Sequence, residues 1–368
     1  MYLFYLLNMK TKLDNLHFSD NHAFSFNDIP IKFLISPREP GKSTALTMRM
    51  WRLFNVGKTT LVIRRYIADI TKKYIDSFAE IVEKFTGDKI KLSYSESDRK
   101  SGICDVFVNG KLWFTIVALN AKMNRIKSCV TKKLGLVFFD EFIANTFAKE
   151  KYIDGEAIAF KEIYSTFNRE SDCKPVPCVF CGNPYSVYNP YFFMYGVDLK
   201  RIAYLMKERD HTATWVHPQR KCIVQVIKLK PQLREKILKD NPFYAFDDSY
   251  TKYALSGFAL NDTDIILVQK QPKGFRLDYL FKYDEKELGV FVGRNNDKNI
   301  NYWLGWVNIG HNKKVYCFDF KNFLNKTKLV NDDDKDRFIP LKRSIAYRAV
   351  AYQDVSIYYF IQEVYKKL

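Results

Sequence analysis

The residues best equipped for chemistry lie in two short runs far apart in the chain. The first is Ser36-Pro37-Arg38-Glu39-Pro40-Gly41-Lys42-Ser43-Thr44. The apolar segment Lys32-Phe33-Leu34-Ile35 precedes it, and an amphipathic stretch over 44–54 follows. Strand, loop and helix in that order are the setting of a phosphate-binding P-loop. Backbone N–H groups wrap phosphate oxygens, a Lys ammonium reaches the β- and γ-phosphates, and a Ser hydroxyl takes a place on Mg²⁺. Arg38, Gly41, Lys42, Ser43 and Thr44 are the candidate contacts to ATP, with Ser43 also a candidate Mg²⁺ ligand. The motif G-x-x-x-x-G-K-[ST] begins here with Ser36 rather than Gly, which puts the loop geometry in question but not the Lys42-Ser43 chemistry.

A second G-K-T, Gly57-Lys58-Thr59, sits in the reverse context. A helix precedes it and the apolar run Leu61-Val62-Ile63 follows, so Gly57 reads as the residue that ends a helix, with Lys58 near the negative helix end. The first site is the one expected to bind phosphate.

The second chemical run is Leu134-Gly135-Leu136-Val137-Phe138-Phe139-Asp140-Glu141-Phe142. Apolar residues leading into two acids describe a buried parallel strand that delivers carboxylates at its C-terminal edge, where open α/β sheets bind ligands. Asp140 is the candidate holder of Mg²⁺ through water. Glu141 is the candidate for orienting the water that attacks the γ-phosphate. An exposed acidic turn is the plainer reading, and the preceding P-loop disfavours it. A third strand, 176–181, ends in Gly182-Asn183-Pro184. Asn183 there is placed to sense the γ-phosphate or the attacking water, and Gly-Asn-Pro is also strong turn chemistry in its own right.

Other elements must position these groups. Residues 60–65 read as a buried strand ending in Arg64 and Arg65, and 67–86 as a helix with apolar positions three and four apart. Asn109-Gly110 marks a hairpin between strands 103–108 and 111–119. Residues 155–167 read as a helix. Tyr185, Tyr188 and Tyr191 crowd the loop after Asn183, where they either stack on a base or, more usually, pack in a core. Beyond residue 200 the character changes. A strand at 223–229 and a charged helix at 231–239 fall within a stretch, 201–270, that reads as a linker or lid. Strands at 275–283, 288–292, 302–309 and 314–320 and an aromatic-rich helix at 344–367 make a second domain.

Composition narrows the partners. A chain of 368 residues exceeds what one core normally serves. Aromatic residues make up 16%, which leaves no case for global disorder. Lys and Arg outnumber Asp and Glu by 18, a balance that suits nucleic acid or an acidic membrane surface. No apolar run approaches a membrane-spanning length, and the apolar 2–7 lacks a basic flank or cleavage pattern, so no membrane is expected. That short run is expected to pack on the sheet. The seven cysteines are odd in number and scattered, as in a reducing compartment. Cys178 and Cys181 lie in an apolar strand without a second ligand pair and read as buried thiols rather than a zinc site.

Together these features resemble the DNA-packaging ATPases of tailed phages, relatives of the large terminase motors, and most closely the encapsidation ATPases of phi29-type podophages. The likeness rests on the Arg38-containing P-loop, the strand ending Val62-Ile63-Arg64-Arg65, the acidic pair Asp140-Glu141 and the strand closing on Gly182-Asn183-Pro184. It implies an α/β fold: a P-loop NTPase domain of the ASCE, terminase-like kind over 1–200, with a parallel sheet and flanking helices. A smaller α+β domain over 271–368 is expected to be RNase H-like and vestigial. Asp278 and Asp319 are its only candidate converging acids, since Asp332, Asp333 and Asp334 read as a solvated run, so docking or nucleic-acid binding replaces nuclease activity.

The resemblance further implies ATP hydrolysis with Mg²⁺, coupled to translocation of double-stranded DNA into a procapsid. Its setting is the host cytoplasm, on the portal vertex, as a homo-oligomeric ring, pentameric in the family, with a structural packaging RNA in some members. An arginine from one subunit completes its neighbour's site there. Arg169 is the candidate, with Arg125 and Arg38 as competitors. The basic stretch around Lys122, Arg125 and Lys127 either lines the ring pore against DNA phosphates or is an ordinary solvated loop. A P-loop helicase or repair ATPase, and a non-enzymatic nucleic-acid- or capsid-binding protein with a decayed loop, remain the alternatives.

Overall fold

The chain divides into two compact units, residues 1–260 and 261–368. The computed structural model describes residues 18–122, 126, 131–145, 150–187, 189–245, 251 and 254–255 of the first. Of the second it describes 266–283, 286–295, 300–307, 313–317, 327–331, 334–346, 349–353, 357–358 and 361. Each unit is taken by itself.

Nine strands of the first unit form one sheet: β1 (Ile31–Ile35), β2 (Thr59–Arg64), β3 (Leu92–Ser93), β4 (Ile103–Val108), β5 (Lys111–Ala118), β6 (Leu134–Asp140), β7 (Cys178–Gly182), β8 (Ala213–Val216) and β9 (Cys222–Val226). Their order is β3-β4-β5-β2-β6-β7-β1-β9-β8. The six central strands, β5 to β9 in that order, run parallel. Antiparallel partners finish both edges. The parallel strands are almost wholly buried, as strands covered on both faces must be.

Alternation along each strand sends side chains to two separate cores. Leu34, Val62, Phe138 and Cys181 meet helices α2 (Lys42–Asn55) and α3 (Lys72–Thr86) on one face. The short α1 (Asn21–Ser25) adds Ala23 to that core. Phe33, Ile63, Phe139 and Phe180 meet α5 (Glu156–Glu170), α6 (Pro190–Met194), α7 (Leu199–Glu208) and α8 (Pro231–Asp240) on the other. The short α4 (Glu96–Ser101) precedes β4. The result is three layers around a mainly parallel sheet, the expected α/β class. The hairpin β4-β5 turns on Asn109 and Gly110, both at positive φ (50° and 75°) as a two-residue turn of that kind requires.

Three expectations are corrected here. Residues 201–270 are not one linker, because β9 pairs along the whole of β1 and β8 pairs with β9, making them part of the first unit's sheet. The alternating apolar run of β9 supplies the inner edge that β1 would otherwise leave open. The helix expected over 344–367 is interrupted: α9 covers Lys335–Ala346, and β16 (Val350–Tyr352) follows in extended form. Asp334 is not solvated, being buried against Lys328 and the Asn331 backbone. The apolar segment 2–7 lies outside the described residues.

The second unit holds a smaller sheet, ordered β10-β16-β13-β12-β11-β14-β15. Its strands are β10 (Ile266–Leu267), β11 (Arg276–Tyr283), β12 (Lys286–Asn295), β13 (Ile300–Val307), β14 (Val315–Cys317), β15 (Thr327–Leu329) and β16. β11, β12 and β13 form an antiparallel meander, and β14 and β15 continue it in parallel. Phe338 of α9 seats against Tyr279, Phe281 and Tyr316 to close its core.

Candidate nucleotide-binding site

The chemistry-bearing residues gather at the C-terminal edge of three neighbouring strands. β7 lies between β1 and β6, with Leu34 and Asp140 both in register with Cys181. That order brings the loop after β1, Asn183 after β7 and the acids ending β6 to one place. The loop over 36–41 is anchored on two sides: the Ser36 N–H donates to the Gly182 carbonyl at 3.3 Å, and the Phe18 N–H to the Pro40 carbonyl at 2.7 Å. Gly41, at φ 89°, turns the chain into α2, a conformation glycine adopts without steric cost. The first hydrogen bond of that helix runs from the Ala45 N–H to the Gly41 carbonyl. Donors N-terminal to it, with no acid in the first turn, make the positive end of α2 an anion site.

Lys42 is buried, and its ammonium lies over the loop. It donates to the Ser36 hydroxyl, and reaches the Ser36 and Pro37 carbonyls at 3.4 Å each and Asn183 Oδ1 at 3.3 Å. The hydroxyl at the departure from the motif therefore faces the lysine. Desolvation pulls Lys42 down to about 8, against the attraction of Cys181, Asp140 and Glu141. Ser43 is exposed beside it.

Arg64 at the end of β2 binds both acids. Its guanidinium meets Asp140 Oδ2 at 3.2 Å and Glu141 Oε2 at 2.7 Å, and lies 4.6 Å from the Tyr74 ring centroid. The Tyr74 hydroxyl donates to Asp140 at 3.1 Å. Burial pushes Asp140 up, outweighing Arg64. Burial opposes the charge on Arg64, yet Tyr74, Asp140 and Glu141 more than offset it and hold the guanidinium protonated. Glu141 has a left-handed backbone, φ 59°, and its side chain is 52% exposed, so it stands out from the sheet edge.

On the opposite face Arg65 forms a second, drier cluster. It meets Glu156 Oε2 at 2.9 Å and donates to the carbonyls of Glu141 at 3.1 Å and Phe142 at 2.6 Å. Successive residues at a strand end point to opposite faces, which sends Arg64 towards α3 and Arg65 towards α5. The sequence shows both arginines. Their partners Tyr74 and Glu156 are visible only once α3 and α5 pack.

Nearly the whole chain, residues 13–367, matches the profile of the Podovirus DNA encapsidation protein (Gp16) family. The chain belongs to that family. The DNA packaging proteins of Bacillus phages phi29 and PZA are each 24% identical to it over 184 residues, which is 50% of this chain and 51% of theirs. The chain thus spans about half the length of the relatives it matches in sequence. Among solved structures it resembles a chain of the bacteriophage phi29 viral genome packaging motor assembly, with TM-score 0.62 and 17% identity over 96% of this chain and 99% of that one. It also resembles the phi28 gp11 DNA packaging motor, with TM-score 0.63 and 15% identity over 93% and 95%. These structural likenesses show a shared fold, the α/β unit followed by a smaller sheet unit.

Within this family member the remaining expected residues fall as follows. Arg38 donates to the Tyr185 hydroxyl at 3.4 Å, at the loop itself. Arg169 lies at the far end of α5, where Ser171 bonds Leu134 at the start of β6. β6 separates it from the acids by roughly 20 Å. It is exposed and pairs with Glu170 at 2.9 Å. Lys122 is exposed, just past the end of β5 and at the same sheet edge as the site. Arg125, Lys127 and Tyr188 lie outside the described residues. Tyr191 does not face a ligand: it is buried among Phe139, Phe160 and Phe180, and its hydroxyl donates to Glu156 at 2.7 Å. The apolar N-terminal turn of α6 draws it into the core. Cys178 and Cys181 are buried thiols, pushed well up by desolvation.

Removing one partner of a buried pair costs about 3–5 kcal/mol, because the other charge stays uncompensated. Arg64→Met should therefore destabilise the nucleotide-free protein by about 3 kcal/mol, and adding Asp140→Asn should restore most of it. Urea unfolding measures both. A loss below about 1 kcal/mol in the single variant contradicts the pairing described.

Proposed function

We propose that the chain is the ATPase of a viral genome-packaging motor, hydrolysing Mg-ATP to drive double-stranded DNA into a procapsid. The observation that carries the reading is the meeting of Lys42, Asn183, Asp140 and Glu141 at one sheet edge, beside the N-terminus of α2. Family membership and the packaging role named for the phi29 and PZA relatives support it. The site sits on the portal-bound ring in the host cytoplasm, and the basic balance of the chain suits a partner made of phosphates.

The residues divide the work by their chemistry. Lys42 leaves the Ser36 hydroxyl for the β- and γ-phosphates, and the donors at the start of α2 receive the phosphate oxygens. Ser43 and Asp140 are hard oxygen donors of the kind Mg²⁺ accepts alongside phosphates and water, and they are the residues that would hold it. The ion would supply charge neutralisation at the β- and γ-oxygens. Glu141, freed from Arg64, orients the attacking water, and Asn183 marks the γ-phosphate. Arg169, far from its own site and open to solvent, suits delivery into a neighbouring subunit's site, since guanidinium is permanently charged and forks onto phosphate oxygens. The second unit is read as a nuclease-like docking domain, with Asp278 facing Arg337 at 3.4 Å. Asp319 lies outside the described residues.

Lys42→Ala should weaken Mg-ATP binding at least tenfold. Glu141→Gln should keep binding within about twofold and reduce DNA-stimulated turnover on the order of a hundredfold or more. Equilibrium binding and a phosphate-release assay measure these, and normal turnover by Glu141→Gln removes the role given to it.

Free Lys42 titrates at about 8, and a bound triphosphate favours its ammonium form. Nucleotide binding should therefore take up a proton at pH 9 and none from this group at pH 6.5, with affinity falling as pH rises above 8. Calorimetry in buffers of different ionisation heat reads the uptake. Equal uptake in wild type and Lys42→Met at pH 9 contradicts the assignment.

A further inference from the structure

We propose that Arg65 is a positioning residue for hydrolysis: it clamps the backbone that aims Glu141, and the buried Glu156 holds the clamp in place. The proposal rests on Glu141 acting as described above. Every nitrogen of the Arg65 guanidinium is engaged: Nε with Glu156 Oε2, one Nη with the Glu141 carbonyl and the other with the Phe142 carbonyl. The two carbonyls are consecutive, and they leave the peptide units at the end of the acidic strand. Glu141 itself adopts a left-handed backbone that a non-glycine residue keeps only where its surroundings impose it. Arg65 supplies that imposition, while the Glu141 side chain itself remains half exposed and paired with Arg64.

The clamp fastens both ends of the segment from 141 to 156. Glu156, in the first turn of α5, accepts from the Ile153 N–H at 2.9 Å through the same oxygen that meets Arg65. Its other oxygen accepts from the Tyr191 hydroxyl at 2.7 Å. Tyr152 lies under the guanidinium, 5.0 Å from its ring centroid, and accepts from the Ala144 N–H at 3.0 Å. Arg65 and Glu156 are 3% and 0% exposed in their side chains. A fully dry ion pair contributes little net stability compared with apolar residues of similar volume, whereas its fixed, planar geometry is something apolar residues do not reproduce. A lysine offers a point charge that pairs with Glu156 but does not fork across two carbonyls.

Two variants of the full chain test this: Arg65→Lys, and the double change Arg65→Met with Glu156→Leu, which leaves no unpaired charge. Mg-ATP affinity and DNA-stimulated turnover are measured for each, in otherwise wild-type and in Glu141→Gln protein. The expected result is a turnover number at least tenfold lower in Arg65→Lys with nucleotide affinity within twofold of wild type. In Glu141→Gln protein the same change should have no further effect. If the double variant does not unfold cooperatively, Arg65→Lys decides alone. Turnover within twofold of wild type in Arg65→Lys, while Glu141→Gln is inactive, overturns the clamp and leaves the proposed function standing. Full turnover by Glu141→Gln overturns both. A loss of affinity equal to the loss of turnover also overturns the clamp, since it marks general damage to the site.

Discussion

A lysine ammonium and a carboxylate drawn out of bulk water, with a second, half-exposed carboxylate beside them at one sheet edge, are the constraint on which the rest of the structure depends. Charges in that position must find partners. Lys42 finds the Ser36 hydroxyl and Asn183, and Asp140 and Glu141 find Arg64. The parallel sheet makes the gathering possible, because parallel strands present all their C-terminal ends on one side. Placing β7 between the loop strand and the acidic strand brings the Asn183 amide beside Lys42. Arg64 satisfies both acids while neutral oxygens hold Lys42, and in the proposed reaction a triphosphate with its metal would have to replace those contacts.

The neighbouring arginines at the end of β2 show how one strand serves two layers. Arg64 turns towards Tyr74 and controls the acid side chains. Arg65 turns towards Glu156 and holds the acid backbone. Motion of α5 would be felt at the Glu141 main chain through Glu156, and α5 carries Arg169 at its opposite end. In the ring proposed above, a helix that touches the site at one terminus and presents an arginine at the other would offer a mechanical path between subunits.

Much of the site was legible in the sequence because its signals are local. The loop, the strand before it and the acids after four apolar residues are contiguous patterns, and the structure puts Lys42, Asp140, Glu141 and Asn183 together. Gly57 could be recognised as a helix terminus, and its N–H does bond back to Phe54. What stayed hidden depends on contacts across long sequence separations. β9 looked like part of a linker because nothing near residues 222–226 reveals a partner at 31–35. Tyr191 packs in the core, the more usual of its two readings, but the partners that decide it, Phe139, Phe160 and Phe180, are distant or unmarked in the sequence. The pairing of Arg65 with Glu156 spans 91 positions and carries no local mark.

The most direct test is a density map of the full chain with Mg²⁺ and a non-hydrolysable ATP analogue. The account predicts the γ-phosphate within hydrogen-bonding distance of Lys42 Nζ, Ser43 and Asp140 as the residues that would hold the metal, and Glu141 released from Arg64. A nucleotide bound elsewhere, or a γ-phosphate beyond reach of both Lys42 and the acids, contradicts it.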